Sequence, residues 1–330
     1  MCLATLDGGI LDTMTATREA ASRPHSPDGL PLIDIDWDAF DPWRIQEVNH
    51  RLFGHGLLQS DALLPLGQRL EATGQFLTYN NQANADTPFV QAARLHPNRR
   101  SVIDTLSNIH EAGAWVLLRN IQADPLHGRL VSQVFDELDE GFRPKDTGMS
   151  YRAGWIFMSS PRTVTPFHMD KGHNFIFQIR GTKTLYVWDH DDTAVVSERA
   201  RDHYHRYYNA QDMLRWDETF RARAHVFTLR PGVGVYMPST SPHMVETSDE
   251  DSVTFTVTFN TNSTRRKALL HAVHDVMRSA RIDPPAVGKR PLFDHMSMAG
   301  ASIVRHSRRL MRGMARRAAR ADAAAYAPAD

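Results

Sequence analysis

Two histidines and one aspartate are the residues whose types and spacing could do chemistry. His168 and Asp170 are two positions apart in the segment TPFHMD, and His243 follows much later in MPSTSPHMVE. On a β-strand, residues i and i+2 point to the same face. His168 and Asp170 could therefore reach one metal ion while Met169 points away. His243 would have to come from a neighbouring strand.

Two imidazoles and one carboxylate on one side of a metal leave its opposite side open. This arrangement is the facial triad of non-heme Fe(II) oxygenases. An isolated His-x-Asp pair is weak evidence, because charged and polar residues of this kind mostly lie at the surface. The assignment of His168, Asp170 and His243 as metal ligands and catalytic centre therefore depends on the surrounding sequence.

The segment after Asp170 predicts two strands beside the metal ligands. Residues 174–180 and 183–188 flank Gly181-Thr182, which predicts a tight turn and a hairpin. His173 is interpreted as lying behind the ligands or exposed. One face of the first strand would carry Phe175, Phe177 and Ile179, and the other Asn174, Ile176 and Gln178. A face of mixed polarity next to a ligand strand indicates a lined cavity.

The first of these segments resembles the first motif of the cupin superfamily. That motif has a metal-binding His-x-His, then a Glu, six residues and a Gly. Here Asp170 replaces the second histidine, and Asn174 stands in place of the Glu, before Gly181.

The second cupin motif is also recognisable. Gly232, Pro238 and His243 have its spacing, with Thr240 in place of the usual internal glycine. Two motifs in the correct order are much more specific than either alone.

The three-ligand version with Lys183 resembles the JmjC and cupin-like branch of Fe(II)/2-oxoglutarate-dependent oxygenases. Within that branch, it is similar to the asparaginyl hydroxylases that inhibit hypoxia-inducible factor, which carry TPxHxD, NF and QIKGxK. The corresponding residues here are 165–170, 174–175 and 178–183. The resemblance covers about residues 151–262.

The resemblance implies that His168, Asp170 and His243 bind Fe(II). It also implies that Lys183 pairs with the distal carboxylate of 2-oxoglutarate and that Thr165 donates a hydrogen bond to it. A buried carboxylate without a partner would be costly, so an inward-facing cation is physically required. A lysine between strands is otherwise usually a solvated edge residue.

Two further residues are assigned to the co-substrate pocket. Asn174 would line it, and Thr258 stands where the family has a polar Asn on the last barrel strand. The chain departs from the family at Ser241 and Pro242, where aromatic residues usually precede the second histidine.

Thr165 and His168 are out of phase on a regular strand, since they are three positions apart. Both can face the same cavity only if the strand has a local kink near Pro166.

The predicted fold is mainly β with flanking helices, a double-stranded β-helix (jelly-roll, cupin/JmjC-like) core between helical N-terminal and C-terminal regions. The strand 253–260 alternates apolar residues with threonines, which would line a polar cavity or face solvent. The predicted regions are a flexible tail over 1–30, a helical region with supporting strands over 31–150, the barrel over 151–262 with an insertion at 189–224, and C-terminal helices over 263–330.

The favoured function is a hydroxylase of a protein side chain or small molecule that uses Fe(II), O2 and 2-oxoglutarate and releases succinate. One alternative is a cupin that uses a divalent metal as a Lewis acid. Another is a catalytically silent JmjC-like binding protein. The substrate, and the choice between hydroxylation and demethylation, are not readable from these residues.

Partners are predicted from three segments. The insertion 189–224 is expected to cover the active-site mouth and contact substrate, although it could be only a surface loop. The C-terminal helices could form a homodimer, as the resemblance implies. The arginine-rich segment 305–320 predicts a basic amphipathic helix, which could contact anionic lipid, nucleic acid or an acidic partner.

Composition and the N-terminal sequence limit which binding partners and which cellular compartment are expected. The net charge is zero, so no global attraction to nucleic acid or membrane is implied. The only cysteine is Cys2, so no disulfide within the chain can form. The N-terminus lacks signal-peptide features, and either Met1 or Met14 could be the start. A cytoplasmic location is expected.

Overall fold

Strands of the barrel pair into two antiparallel sheets. The computed structural model describes residues 30–207 and 210–300. The strands in these ranges are β1 (Ile33–Asp34), β2 (Gln46–His50), β3 (Phe76–Asn80), β4 (Ala114–Leu118), β5 (Ser150–Ser159), β6 (Val164–Met169), β7 (His173–Arg180), β8 (Lys183–Val187), β9 (His225–Leu229), β10 (Val233–Met237), β11 (Pro242–Thr247) and β12 (Ser252–Asn260). The larger sheet has the order β1-β2-β10-β7-β12-β5-β4-β3, and the smaller β6-β11-β8-β9. The predicted mainly β, cupin-like fold is confirmed.

Helices cover the larger sheet on its outer face. The α-helices in the described ranges are α1 (Ser60–Glu71), α2 (Ala92–Leu95), α3 (Val102–Ser107), α4 (Pro125–Phe142), α5 (Glu198–Arg206) and α6 (Asn262–Ser279). Leucines of α1 and the apolar stripe of α4 pack against Phe175, Phe177 and Phe255 of the sheet. Because these phenylalanines point outward to the helices, the alternate residues of the same strands point into the barrel.

The turn at Gly181 is a corner between the two sheets, so the predicted hairpin is wrong. β7 pairs with β10 and β12 in the larger sheet, whereas β8 pairs with β11 and β9 in the smaller. Gly181 has a φ of 69°. A Cβ there would lie 2.2 Å from the carbonyl oxygen of Asp251. The chain needs glycine at this corner because a side chain would meet backbone.

The N-terminal region contributes more sheet than its mixed helical spacing indicates. β2 pairs with β10, and β3 pairs with β4, which extends the larger sheet at both ends. The predicted buried strand at Ala114 is confirmed as β4.

A bulge in β6 supplies the kink expected near Pro166. His168 pairs with His243, but Thr165 pairs with Val245, so three steps on β6 match two on β11. The extra residue brings Thr165 and His168 to the same face.

Some expectations concern residues outside the described ranges: the N-terminal tail with Cys2, the alternative start at Met14, and the arginine-rich segment 305–320. The homodimer through the C-terminal helices stays a prediction. Within the described ranges, no helix has both the length and the apolar character to cross a bilayer.

Candidate metal and co-substrate site

The three residues proposed as metal ligands converge. His168 and His243 are cross-strand partners, and their ring centroids are 4.1 Å apart. His243 Nε2 lies 3.7 Å from Asp170 Oδ2. One ligand atom from each of the three residues lies within 4.8 Å of the others. One ion could therefore contact all three.

Backbone carbonyls fix the tautomer of both imidazoles so that each Nε2 could bind a metal. His168 Nδ1 donates to the carbonyl oxygen of Pro166 at 2.8 Å, and His243 Nδ1 donates to that of Ser241 at 3.1 Å. Each ring therefore has a free Nε2 lone pair, as a metal ligand requires. Burial, and then the neighbouring His243, lower the pKa of His168 to about 3. His168 is thus neutral at physiological pH and fits Fe(II).

Asn174 orients the carboxylate ligand. Its Nδ2 donates to Asp170 Oδ2 at 2.6 Å. The Asn174 Oδ1 is buried and has no hydrogen-bond partner among the described residues. Asn174 therefore holds Asp170 and keeps a free acceptor beside the cavity.

Lys183 is buried at the start of β8, so the reading as a solvated edge residue does not apply. Its side chain is 3% exposed, and its Nζ donates to Ser159 Oγ at 3.1 Å. No carboxylate of the described residues forms an ion pair with it. Burial lowers the pKa of Lys183 from 10.5 to about 7. A buried amine of this kind lacks the anionic partner that would stabilise its charged form.

Thr165 is held by two aromatic residues. Trp115 Nε1 donates to Thr165 Oγ1 at 2.8 Å, and Trp115 stacks on Tyr79 with ring centroids 4.4 Å apart. Since the Thr165 hydroxyl accepts this bond, its own proton remains free to donate.

One cavity contains most of the predicted site residues. Its empty space amounts to about 540 Å³, which includes space open to solvent. Its walls come from both sheets and one loop: Phe89, Trp155, Phe157, Thr165, His168, Asp170, Asn174, Ile176, Lys183, Leu229, His243, Val245, Thr254 and Thr256. The threonine row of β12 therefore faces the cavity. Thr258 pairs with Asn174 across the strands but lies outside the lining.

Phe89 and Trp155 are among the lining residues that local sequence patterns did not indicate. Phe89 stacks on His168, with ring centroids 3.9 Å apart and an interplanar angle of 16°. Trp155 and Thr256 are cross-strand partners, and both Trp155 Nε1 and Thr256 Oγ1 are buried without a hydrogen-bond partner among the described residues. The alternation of β12 already indicated Thr256. No local pattern marks Phe89, which lies in a short 3₁₀ turn far away in sequence.

His173 is buried in the core. Its side chain has no exposed surface, and its Nδ1 lies 2.7 Å from the Tyr236 hydroxyl. The interpretation that it lies behind the ligands is consistent with this position, and the alternative that it is exposed is wrong.

A second cluster of side chains that could bind a metal ion forms an ion-pair network instead. Glu198, Asp202 and His271 also lie within ligand distance of one another. Asp202 is already paired with Arg278 at 2.8 Å, and Arg201 lies 3.5 Å from Glu198. Two arginines beside these carboxylates disfavour a metal ion here.

Fold and site together define a JmjC-type cupin with a two-histidine, one-aspartate centre. The cupin-like domain model matches residues 34–265, so the chain belongs to the cupin-like domain family. The predicted family resemblance is confirmed.

Individual relatives share only low sequence identity with this chain. The HSPB1-associated protein 1 homolog of Danio rerio is 28% identical over an alignment of 138 residues, and the match covers 38% of this chain. The match spans only 31% of that protein's length.

Two solved structures are among those to which the chain is similar. Escherichia coli ycfD has a TM-score of 0.44 at 14% identity, over 82% of this chain and 67% of that one. The Escherichia coli ribosomal oxygenase YcfD in complex with cobalt and 2-oxoglutarate has a TM-score of 0.43 at 15% identity, over 83% of this chain and 68% of that one.

Proposed function

We propose that the protein is an Fe(II)- and 2-oxoglutarate-dependent oxygenase. The observation that carries this proposal is the presence of Lys183, a buried ammonium without an ion-pair partner among the described residues, in the same cavity as His168, Asp170 and His243. A metal site alone would fit a Lewis-acid cupin. A metal site with an inward cation fits a co-substrate that chelates the metal at one end and is an anion at the other.

In this proposal, His168, Asp170 and His243 would hold Fe(II), and 2-oxoglutarate and O2 would be the co-substrates. The iron would supply the chemistry that oxidises the substrate while 2-oxoglutarate is converted to succinate. Lys183 pairs with the distal carboxylate, and Thr165 donates to it. Thr258 could contribute only indirectly, through its neighbour Asn174.

Chain residues also protect and orient the reacting groups. Asn174 fixes the Asp170 carboxylate, so that one oxygen faces the metal. Phe89 covers one face of the His168 ring and excludes water from it. Since the remaining walls are largely apolar, the low dielectric strengthens the pairing of Lys183 with a carboxylate.

The reaction is most simply a hydroxylation, and the substrate would be a protein side chain or a small molecule. Among the described residues that line the cavity, no charged group remains for the substrate once Lys183 and the proposed metal ligands are engaged. The substrate group that enters is therefore expected to be uncharged.

Anaerobic titration of the purified protein with Fe(II), then 2-oxoglutarate, tests the proposal. A visible charge-transfer band is expected when 2-oxoglutarate chelates the iron. Metal binding without the band would favour a Lewis-acid cupin, and no metal binding would favour a silent binding protein. Either result would contradict the proposed oxygenase.

Binding of 2-oxoglutarate is expected to weaken as the pH rises above about 7. Lys183 then loses its proton in the free protein, because burial has lowered its pKa to about 7. A bound carboxylate favours the ammonium and raises that pKa, so binding takes up a proton. The Kd should rise up to about tenfold per pH unit.

Calorimetry at pH 8 in two buffers with different ionisation enthalpies measures this proton uptake. Uptake approaching one proton is expected. A Kd that stays constant between pH 7 and 9, with no proton uptake, would contradict the assigned role of Lys183.

A further inference from the structure

β6, which carries His168 and ends one residue before Asp170, lies at a sheet edge. It pairs with β11 on one side, and no strand from the described part of the chain pairs with its other side. Met169 stands between His168 and Asp170, so its peptide groups determine where both ligands point. Edge peptide groups that are buried need hydrogen-bond partners from elsewhere in the chain.

The insertion 189–224 supplies those partners at Met169. The Tyr204 hydroxyl donates to the Met169 carbonyl oxygen at 2.8 Å, and Met169 N–H donates to Gln211 Oε1 at 3.3 Å. Lys171, on the other side of Asp170, donates from its side-chain Nζ to the Tyr207 carbonyl oxygen at 3.1 Å. The insertion therefore binds the Met169 backbone before Asp170 and the Lys171 side chain after it.

Apolar packing fixes the same contact. Met169 has no exposed surface, and Tyr204 is 4% exposed. Outward side chains of β6 join one apolar cluster with side chains of the insertion and of two neighbouring segments. Its buried members are Phe167, Met169, Trp188, Val195, Val196, Ala200, Tyr204 and Met244. None of the cavity-lining residues comes from the described part of the insertion. The expected substrate contacts therefore have no support in this part, and the insertion packs behind the ligand strand.

The insertion is itself anchored to the C-terminal helix. Asp202 on α5 has no exposed surface. Its carboxylate lies 2.7 Å from His271 Nδ1 and accepts from Arg278 Nε at 2.8 Å, and both partners are on α6. A buried carboxylate with two partners is costly to displace. α5 is thus held between α6 and β6.

We propose that the insertion positions the metal ligands, with Tyr204 and Gln211 as positioning residues that act through the Met169 peptide. This inference rests on the proposed metal site. Groups that orient ligands typically change metal affinity by about 10–100-fold when they are removed. Tyr204 and Gln211 act on the backbone between two ligands, so the same order of effect applies.

The test compares Tyr204→Phe with Tyr151→Phe. Tyr204→Phe removes only the hydroxyl, and Tyr151 is 62% exposed, so Tyr151→Phe makes the same chemical change away from the site. Co(II) is titrated into metal-free full-length protein by calorimetry, at a temperature well below the unfolding transition of every variant. A Kd about tenfold higher than in Tyr151→Phe is expected for Tyr204→Phe.

Gln211→Leu keeps the proposal testable if Tyr204→Phe does not fold. It removes the other partner of the same peptide and should raise the Co(II) Kd several-fold. A purely structural role would lower the Tm of the metal-free protein and leave the Co(II) Kd within twofold of Tyr151→Phe, which would overturn the inference alone. Absence of Co(II) binding by the wild-type protein would overturn both this inference and the proposed function.

Discussion

Replacing Lys183 with methionine is expected to stabilise the ligand-free protein and to abolish most of its affinity for 2-oxoglutarate. Burial lowers the pKa of Lys183 from 10.5 to about 7. The unfolded chain therefore binds this proton more tightly than the folded one, and the amine opposes folding at every pH below about 10.5. At pH 8 this cost is on the order of 3 kcal/mol. Methionine fills similar space without this free-energy cost.

The affinity loss follows from the same burial. Without Lys183, the distal carboxylate would enter a largely apolar cavity unpaired, and removing one partner of a buried pair costs about 3–5 kcal/mol. The Kd for 2-oxoglutarate should therefore rise at least about 100-fold.

Two measurements on one variant check this prediction. Denaturant unfolding at pH 8 gives the stability of the metal-free protein, and titration of the metal-loaded protein gives the 2-oxoglutarate Kd. Lys145→Met is the matched control, because Lys145 is exposed and lies outside the cavity lining. If Lys183→Met binds 2-oxoglutarate as tightly as Lys145→Met does, Lys183 has no role in co-substrate binding.

Replacing His243 with alanine is expected to remove specific metal binding. His243 contributes one of three ligand atoms, and its Nε2 is free because Nδ1 is bound to Ser241. The remaining pair would hold the metal at least about 100-fold more weakly, since even groups outside the ligand set change affinity by about 10–100-fold.

Calorimetric titration with Co(II) measures this loss. His110→Ala is the control, because His110 is 62% exposed and lies outside the cavity lining. Tight binding that persists in His243→Ala would mean that the ion sits elsewhere. The network of Glu198, Asp202 and His271 would then need to be reconsidered.

Local patterns were sufficient to predict that the three proposed ligands converge. The i, i+2 spacing of His168 and Asp170 depends only on strand geometry. The phase mismatch of Thr165 required an irregular strand, and a bulge is present at that place. Alternation along β12 likewise predicted a threonine face, and Thr254 and Thr256 line the cavity.

Contacts between distant segments could not be predicted in this way. In sequence, the corner at Gly181 looks like a hairpin turn. The same turn residues are found whether the following strand pairs with the preceding strand or joins another sheet. Phe89 reaches His168, and Trp115 reaches Thr165, only through the packing of separate segments.

The sequence by itself determined which side chains could bind a metal, and on which face of each strand they lie, because side-chain direction follows residue spacing. Only the tertiary structure decided that Lys183 is buried without an ion-pair partner among the described residues, and that the insertion supports β6 from behind. Burial, pKa and edge pairing depend on which elements pack together, and that choice arises from the whole chain and not from any one segment.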